Sequence, residues 1–491
     1  MTDNIPVVPF VVRGVSYPDG DMLYDNGRIR FRYPDPRKIP DLVADGIQLR
    51  QDFAKVKVSE IIRFLAEAGG RMTLKNPAMQ RAMDFSAQYS ALTPSVVRGS
   101  FELIPVVFSS IALRAMVENE IGSKYLDGWV HMPYSEKWSR THAYGMRTLQ
   151  FISGNVPVVA ALSIARTALI KSDNLVKVSV NDPFTSQAIL GAMVEVDPKH
   201  PVTRHFAAIY WPNDMTDFEK RLISGQNFEK IISWGGAMGG VNSTMSHSDL
   251  SAAGVDIIAL GAKFSVAMIG REAFETEQKM DQVAKLVAKD TFSFNMQSCG
   301  STRFHFIEAT PEQSRKYADR LAHYMHFQPP SLSTPAPRNM PMEVREVIDL
   351  LRYDDENYYV AGGKEGAGSV VVSMLPGEPA DFFPVDNNVS VVRVDRLEDA
   401  IQLLAPSVQT ISIYPEKRRA GLRDMLVAKG AARFISPGHT IDYSVGGPFN
   451  HTEIMRRACR WVLDESYPPA WAYPLFGLQK LYDIATHHLF K

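Results

Sequence analysis

The segment from residue 292 to residue 308 carries the strongest candidate for nucleophilic chemistry, Cys299. Apolar and polar residues alternate ahead of the cysteine, which predicts a half-buried strand over 292–298. Gly300 and Ser301 end that run, and a second strand-like run follows at 304–308. A thiol at a strand-to-turn junction is a candidate nucleophile, because backbone N–H groups can face the thiolate there. A buried, unreactive thiol is the alternative that this pattern leaves open.

The composition is typical of a globular protein in a reducing compartment. The chain has 491 residues, of which 45% are hydrophobic and 22% are charged, so it is long enough for two or three domains. A formal net charge of −1 predicts no nucleic-acid binding. Two cysteines, Cys299 and Cys459, predict neither a disulfide framework nor a zinc site, and no metal is expected.

The pattern of apolar residues predicts a cytoplasmic protein. The N-terminus has no basic region before its apolar residues, and prolines interrupt them, so no signal peptide is expected. No run of about 18 apolar residues occurs, which predicts no transmembrane helix.

Residues 147–270 predict a parallel sheet, because strand patterns alternate there with helix patterns. The strands are predicted at 147–152, 174–179, 205–211, 230–234, 255–260 and 264–269. Ligands bind beyond the carboxyl ends of such strands. Those ends carry Asn155, Lys177 with Ser179, and the glycine loop 235–240, which together favour a nucleotide site. Glycines in tight turns would produce the same loop pattern, and that reading stays open.

The chain after Cys299 predicts a second α/β unit. A helix over 310–326 begins with a capping box, and a proline-rich connector follows at 328–341. Strands are predicted at 369–373, 389–394 and 410–414. A last helix over 452–463 would contain Cys459 as a structural thiol. The aromatic segment 467–476 is expected to pack back on its own domain, with docking on a partner subunit or a membrane as the alternatives.

Four short motifs, taken in register, resemble those of one family. They are Gly154-Asn155-Val156-Pro157, Lys177-Val-Ser179 with Asp182-Pro183-Phe184, Trp234-Gly235-Gly236, and Gln297-Ser-Cys299. Their order and spacing resemble the LuxC-type acyl thioester reductases of bacterial luminescence, within the aldehyde dehydrogenase superfamily. The resemblance runs from about residue 100 to about residue 465.

The resemblance implies an α/β, aldehyde dehydrogenase-like fold with a small oligomerisation element. It suggests an N-terminal region at 1–100, a Rossmann-like NAD(P)-binding domain at 101–270 and a catalytic domain at 271–445. A C-terminal segment at 446–491 would pack back or contribute to oligomerisation.

The resemblance also implies residue roles. Cys299 falls on the nucleophile, and Asn155 on the asparagine that stabilises the oxyanion. Lys177 falls on the lysine that holds the adenosine ribose of the cofactor. Ser179, Gly235, Gly236 and Ala237 belong to the loops around that cofactor, with Gly236 and Ala237 at its pyrophosphate.

Two departures from the superfamily pattern refine the expected activity. Ala259 stands where hydrolytic aldehyde dehydrogenases have a glutamate that activates water. Val180 stands near the glutamate of many NAD-preferring members, and its neutral side chain favours NADPH, because no carboxylate there would repel a 2′-phosphate. His305, Glu308 and Lys263 are ambiguous, and we leave them out of the catalytic set.

The sequence therefore predicts NADPH-dependent reduction of a long-chain fatty acyl thioester to the aldehyde through an S-acyl cysteine. An acyl-protein synthetase or acyltransferase partner and a homo-oligomer, dimer or tetramer, are expected from the resemblance. An NAD(P)-dependent aldehyde dehydrogenase and a non-catalytic scaffold for an acyl synthetase or acyltransferase complex are the alternatives.

Overall fold

The computed structural model describes residues 5–19, 21–132, 137–212, 214–224, 226–235, 247–333, 340–363, 368–467, 471 and 473–489. Short strands come first: β1 (Val7–Val8), β2 (Phe10–Val12), β3 (Val15–Tyr17), β4 (Met22–Asp25) and β5 (Arg30–Tyr33). Helices follow: α1 (Ile39–Leu42), α2 (Gly46–Asp52), α3 (Val58–Arg71), α4 (Pro77–Tyr89), α5 (Pro94–Val107), α6 (Ser110–Glu120) and α7 (Ser123–Asp127).

The next part of the chain alternates strands and helices. Its strands are β6 (Val130–His131), β7 (Trp138–Gly145), β8 (Arg147–Phe151), β9 (Asp173–Lys177), β10 (Phe206–Ile209), β11 (Lys230–Trp234), β12 (Asp256–Leu260) and β13 (Phe264–Ile269). Its helices are α8 (Val158–Leu169), α9 (Phe184–Val196), α10 (Pro201–Arg204), α11 (Thr216–Leu222) and α12 (His247–Ala252).

The remaining part is mixed in the same way. Its helices are α13 (Glu277–Phe292), α14 (Pro311–Met325), α15 (Met342–Leu351), α16 (Arg419–Ala428), α17 (Ile454–Ala458) and α18 (Tyr473–Leu489). Its strands are β14 (Thr302–Ile307), β15 (Tyr358–Gly362), β16 (Ser369–Ser373), β17 (Val389–Arg393), β18 (Val408–Tyr414), β19 (Arg433–Ile435) and β20 (Cys459–Ser466).

The first large sheet has the order β12-β11-β8-β9-β10-β2-β3. Its five strands from β12 to β10 are parallel, as predicted, and β2 and β3 add antiparallel pairs at one edge. The sixth strand predicted for this sheet, at 264–269, belongs instead to the second large sheet as β13. Apolar side chains cover both faces: Ile61, Val97 and Ile164 belong to the core on one face, Phe218 and Leu250 to that on the other. Burial on both faces suits strands that are apolar throughout.

The second large sheet has the order β15-β16-β17-β14-β13-β18-β19. All of its pairs are parallel except β15 with β16. The chain passes from β12 in the first sheet to β13 in the second through residues 261–263, and β14 lies beside β13. This crossing places the segment that carries Cys299 beside the ends of the first sheet's strands.

Two sequence-based expectations of secondary structure are wrong. Residues 292–298 form the end of α13 and a short turn at Ser293–Met296 rather than a strand. Polar and apolar side chains from 290 to 296 are all buried there, so their alternation does not mark a two-sided strand. The helix expected over 452–463 ends at Ala458, because Cys459–Ser466 pairs along its whole length with β7.

Within the aromatic segment 467–476, Tyr467 is 72%, Trp471 77% and Leu475 59% exposed in the single chain. Leu478 and Leu481, further along the same helix, are 64% and 65% exposed. Within the described ranges, no single helix is long and apolar enough to cross a membrane, although α5 and α6, bent by 72° at their junction, pass that test as a pair.

Candidate active site

Cys299 lies in the loop between the Ser293–Met296 turn and β14, and it is half-buried. Phe294, Asn295 and Met296 all adopt left-handed backbone conformations, with φ of 52°, 49° and 59°. This turn reverses the chain directly after α13. The Ser265 hydroxyl, on β13, donates a hydrogen bond to the Cys299 carbonyl at 2.8 Å. The cysteine backbone is therefore tied to the sheet on which it rests.

Two residues that follow the cysteine hold the turn that precedes it. The Arg303 guanidinium, on β14, donates to the Met296 carbonyl at 2.7 Å. The Ser301 hydroxyl donates to the Ser293 carbonyl at 3.0 Å. These contacts join both ends of the loop and limit the positions that the thiol can take.

Asn155 lies in the loop after β8 and reaches the cysteine loop from the first sheet. Its side-chain amide donates to the Gln297 carbonyl at 3.1 Å. Asn155 and the cysteine segment are therefore in contact, although 142 residues separate Asn155 from Gln297. An amide donor at this place can stabilise negative charge on an oxygen that lies beside Cys299.

Close contacts between loops bring the other predicted residues together. A Cβ on Gly154 would lie 2.4 Å from the Ser179 hydroxyl oxygen, so this position requires glycine. A Cβ on Gly235, whose φ is +82°, would lie 3.6 Å from the Ser153 Cβ. The loops after β8, β9 and β11 therefore meet at the carboxyl edge of the first sheet. Gly236 and Ala237 lie outside the described residues.

Lys177 is buried at the end of β9. Its ammonium lies 3.6 Å from a carboxylate oxygen of Glu219 and 4.7 Å from the ring centroid of Trp211. Burial lowers the pKa of Lys177, and the Glu219 carboxylate opposes that shift. Trp211 also donates to Glu219 at 2.8 Å. Sequence reasoning did not include Glu219, because its position on a short helix carries no local sign of this ion pair.

An apolar cavity of about 550 Å³ joins Asn155 and Cys299. Side chains from α5, α8, β11 and the 441–449 loop line it, among them Val106, Val159, Leu162, Trp234 and Phe449. The volume lies within the range of small-molecule sites. The arrangement places one thiol and one amide at the wall of a site suited to a long apolar group.

The structure adds Tyr443 to the site. Its hydroxyl oxygen lies 3.5 Å from the Cys299 sulfur, and both side chains line the cavity. Burial raises the pKa of the Cys299 thiol above its usual value, and the hydrogen bond from Tyr443 opposes that rise. Tyr443 was missed because 144 residues separate it from the cysteine and no local pattern links the two.

The ambiguous residues lie in other surroundings. His305 is fully buried, bonded to Thr291 and Tyr317, and burial lowers its pKa to about 3. Burial alone would raise the pKa of Glu308, but hydrogen bonds from Arg418 and from backbone N–H groups lower it to about 2. Lys263 donates to the Pro406 carbonyl at 2.7 Å. These contacts assign structural roles to all three.

The model of one family, acyl-CoA reductase (LuxC), matches residues 53–461 of the chain. The chain belongs to this family. The LuxC resemblance seen in the motifs is thereby confirmed, and the chain is an acyl reductase, an oxidoreductase that converts fatty acyl groups to aldehydes.

Named relatives of this LuxC-family chain are long-chain acyl-protein thioester reductases. It is 26% identical over 428 residues to the long-chain acyl-protein thioester reductase of Vibrio harveyi, covering 84% of this chain and 83% of that protein. It is also 26% identical over 431 residues to the enzyme of the same name from Aliivibrio fischeri, covering 84% of each.

Solved structures confirm the predicted fold class. The chain is similar to a salicylaldehyde dehydrogenase from Pseudomonas putida G7, with a TM-score of 0.70, 14% identity, and coverage of 95% of this chain and 99% of that one. It is also similar to an NADP-dependent glyceraldehyde-3-phosphate dehydrogenase from Bacillus halodurans C-125, with a TM-score of 0.67, 11% identity, and coverage of 94% and 99%. At these identities the likeness supports the aldehyde dehydrogenase fold.

Proposed function

We propose that the chain reduces a long-chain acyl thioester to the aldehyde with NADPH, through an acyl group carried on Cys299. The observation that carries the proposal is the meeting of Cys299 and Asn155 at one apolar cavity. A thiol supplies the nucleophile, an amide supplies an oxyanion donor, and the apolar wall supplies binding for a hydrocarbon chain.

In the acylation step, the Cys299 thiolate attacks the thioester carbonyl carbon and a new C–S bond forms. The carbonyl oxygen becomes an oxyanion that the Asn155 amide can stabilise. The bond to the donor sulfur then breaks, and its electron pair leaves with the donor thiolate. One well-placed oxyanion donor contributes about 10²–10³ in rate.

The absence of a carboxylate at residue 259 favours reduction over hydrolysis. Ala259 is exposed on β12 and cannot take a proton from water. An acyl-enzyme without a nearby water-activating group persists until hydride reaches it. This argument distinguishes a thioester reductase from an aldehyde dehydrogenase that releases acids.

The residues at the carboxyl edge of the first sheet fit a dinucleotide. Gly154 lets its loop approach Ser179 closely, Gly235 adopts a positive φ, and glycine loops of this kind admit a pyrophosphate. Lys177, Ser179, Gly235, Gly236 and Ala237 would hold the cofactor, which supplies hydride when bound. Val180 adds no negative charge, which favours NADPH over NADH. The Glu219 carboxylate offsets the positive charge of Lys177, so Lys177 adds little attraction for a 2′-phosphate. The proposed preference for NADPH over NADH therefore rests on Val180.

The domain division expected from the sequence remains part of this proposal. The parallel strands of the first sheet lie between residues 147 and 260, which supports a cofactor domain at 101–270. The second sheet begins at Phe264 and ends at Ile435, so its first strand precedes the proposed catalytic domain at 271–445 and its other strands lie within that domain. An acyl-protein donor, in line with the names of the relatives, and a homo-oligomer are proposed with it.

Intact-protein mass spectrometry after mixing with a long-chain acyl-CoA tests the proposal. We expect one acyl adduct on the wild type and on Cys459→Ser, and none on Cys299→Ser. NADPH should discharge the adduct and release aldehyde, and NADH should do so more slowly. Equal rates with both cofactors would remove the argument from Val180.

The same measurement can contradict the proposed reaction. An adduct that persists with both nucleotides, or that is released as the free acid, would exclude a reductase. A wild-type protein that stays unmodified with acyl-CoA and with an acylated carrier protein would favour a non-catalytic role.

A further inference from the structure

The Tyr443 hydroxyl is one of the polar groups against the nucleophile, together with the Ser298 hydroxyl and the Gly300 N–H. The tyrosine oxygen lies 3.5 Å from the Cys299 sulfur, within hydrogen-bond range for sulfur, and 3.2 Å from a side-chain oxygen of Gln409. Gln409 belongs to β18 of the second sheet and is buried. The hydroxyl can therefore donate a hydrogen bond either to the Cys299 sulfur or to Gln409.

Two charged residues hold the loop that carries Tyr443. The Asp290 carboxylate, on α13, accepts hydrogen bonds from the backbone N–H groups of Gly438 and Thr440, at 2.7 and 2.9 Å. The Arg433 guanidinium donates to the carbonyls of Thr440 and Asp442, both at 2.6 Å. Arg433 also lies 4.6 Å from the Tyr443 ring centroid. These contacts restrict movement of the Tyr443 ring away from the Cys299 thiol.

Gly300 allows the tyrosine to come this close. A Cβ at residue 300 would lie 3.2 Å from the Tyr443 hydroxyl oxygen and 3.1 Å from the Thr440 carbonyl oxygen. A side chain at residue 300 would require the 440–443 segment to shift by a few tenths of an ångström. The absence of a side chain at Gly300 thus leaves room for the Tyr443 hydroxyl beside Cys299.

A phenol has one O–H group, so it can donate a full hydrogen bond to only one of these two acceptors at a time. When Cys299 is a thiol, the hydroxyl can donate to Gln409 and accept from the S–H. When Cys299 is a thiolate, the sulfur is the stronger acceptor because it is charged, and the hydroxyl can turn to it. In this geometry the Tyr443 hydroxyl can donate to Gln409 when the sulfur is neutral and to the sulfur when it is charged.

Building on the proposed function, we infer that Tyr443 is a catalytic residue that donates a hydrogen bond to the Cys299 thiolate, both as nucleophile and as leaving group. In acylation, the bonded thiolate forms the C–S bond. After hydride has added to the acyl carbon, the C–S bond breaks as the C=O bond re-forms, and the electron pair returns to the sulfur. The tyrosine proton stays on its oxygen throughout, so the step gives the aldehyde and a hydrogen-bonded thiolate.

The ionisation of the two groups agrees with this role. Burial raises the pKa of Tyr443 well above its usual value, so the phenol remains a donor across the neutral range. The cations of Arg303 and Arg433 interact electrostatically with the Cys299 sulfur. Burial still raises the pKa of the thiol on balance, and the hydrogen bond from Tyr443 opposes that rise.

The test compares the wild type with Tyr443→Phe, which keeps the ring and removes the hydroxyl. The rate of Cys299 alkylation by iodoacetamide, followed against pH by peptide mass, reports the thiol pKa without any substrate. We expect Tyr443→Phe to move the midpoint of that profile upward by about one to two pH units. At neutral pH, acylation by acyl-CoA and discharge by NADPH should each slow by about tenfold or more.

Tyr359→Phe is the matched control, because it removes a phenol that donates to Asp319 at the surface. Its alkylation profile and rates should equal those of the wild type. Coincident profiles for wild type and Tyr443→Phe would overturn the inference, even if the wild type reduces acyl-CoA. A shifted profile with unchanged acylation and discharge rates would overturn the catalytic role.

Failure of the proposed function has a different signature. In that case the wild type itself takes up no acyl group, whatever the alkylation profile shows. A role for Tyr443 in packing alone would leave the profile unmoved, because the phenylalanine ring fills the same space.

Discussion

Asn155 shows how one side chain joins the two sheets of this enzyme. The residue is exposed, and the single hydrogen bond of its amide reaches the cysteine loop. Its position depends on Gly154, whose missing Cβ lets the loop rest against Ser179. The proposed oxyanion donor is thus placed by a glycine contact between loops of the first sheet, while the proposed nucleophile precedes a strand of the second.

Asn155→Ala should slow acylation while leaving the fold intact. We expect a loss of about 10²–10³ in the single-turnover rate of acyl-enzyme formation, because the oxyanion loses a preorganised donor. Quenched-flow mass spectrometry measures that rate. Asn227→Ala, which removes an amide bonded to the Leu222 carbonyl, is the control and should acylate normally. Equal rates for the two variants would show that Asn155 does not bind the oxyanion.

At the scale of elements, α13 positions both sides of the site. Its last turn leads into the bend before Cys299, and its Asp290 carboxylate holds the loop that carries Tyr443. Thr291, one residue further on, bonds to Thr302 on β14 at 2.8 Å. A helix packed between the cysteine loop and the tyrosine loop keeps their separation constant.

Asp290 should make stability depend on pH in the acidic range. Burial raises its pKa from 3.8 to about 6, although the N–H groups of Thr440 and Gly438 oppose the rise. The folded state therefore binds the proton more tightly than the unfolded state does. The contribution of this carboxyl to the free energy of unfolding increases as pH falls from about 6 to about 4, by at most about 3 kcal/mol.

Urea unfolding of the wild type and Asp290→Asn at several pH values measures this contribution. The stability of the wild type relative to the variant should rise as pH falls through this window and stay constant above it. The substitution should also loosen the loop, because the NH₂ group of an asparagine side chain cannot accept from a backbone N–H. A stability difference that does not change with pH would mean that Asp290 ionises at its ordinary pKa.

At the scale of the whole molecule, a small antiparallel sheet stands apart from the two large ones. Strand β7 pairs with β6 on one side and with β20 on the other, and Arg140 forms an ion pair with Asp464 at 2.7 Å. Helix α18 follows β20 in the chain and exposes Leu475, Leu478 and Leu481 at a spacing of three residues. A stripe of exposed leucines is typical of a surface that associates with another protein surface.

Replacement of these leucines should reduce the predicted homo-oligomer to a smaller species. We expect Leu478→Lys with Leu481→Lys to lower the mass measured by light scattering after gel filtration, because two charges would be buried in the contact. Leu350→Lys, at an exposed leucine of α15, is the control and should leave the mass unchanged. An unchanged mass for the double variant would place the subunit contact elsewhere.

The sequence by itself determined the parts of this protein that depend on short-range patterns. Apolar runs broken by helix signals predicted the parallel strands, and the ends of those strands identified the loop of Asn155 and the loop of Ser179. The Gln297-Ser-Cys299 motif predicted Cys299 as the nucleophile from its resemblance to the family's motif alone. Each of these features is encoded by residues that lie next to one another in the chain.

Only the tertiary structure decided what depends on contacts between distant segments. Tyr443 meets Cys299 across 144 residues, and Glu219 meets Lys177 through a helix with no sequence signal. Residues 459–466 form a strand because β7 offers them hydrogen bonds, which local propensity does not record. The alternation over 292–298 wrongly predicted a strand for a similar reason. Where all side chains are buried, a two-residue period of polar and apolar residues does not indicate a strand with one exposed face.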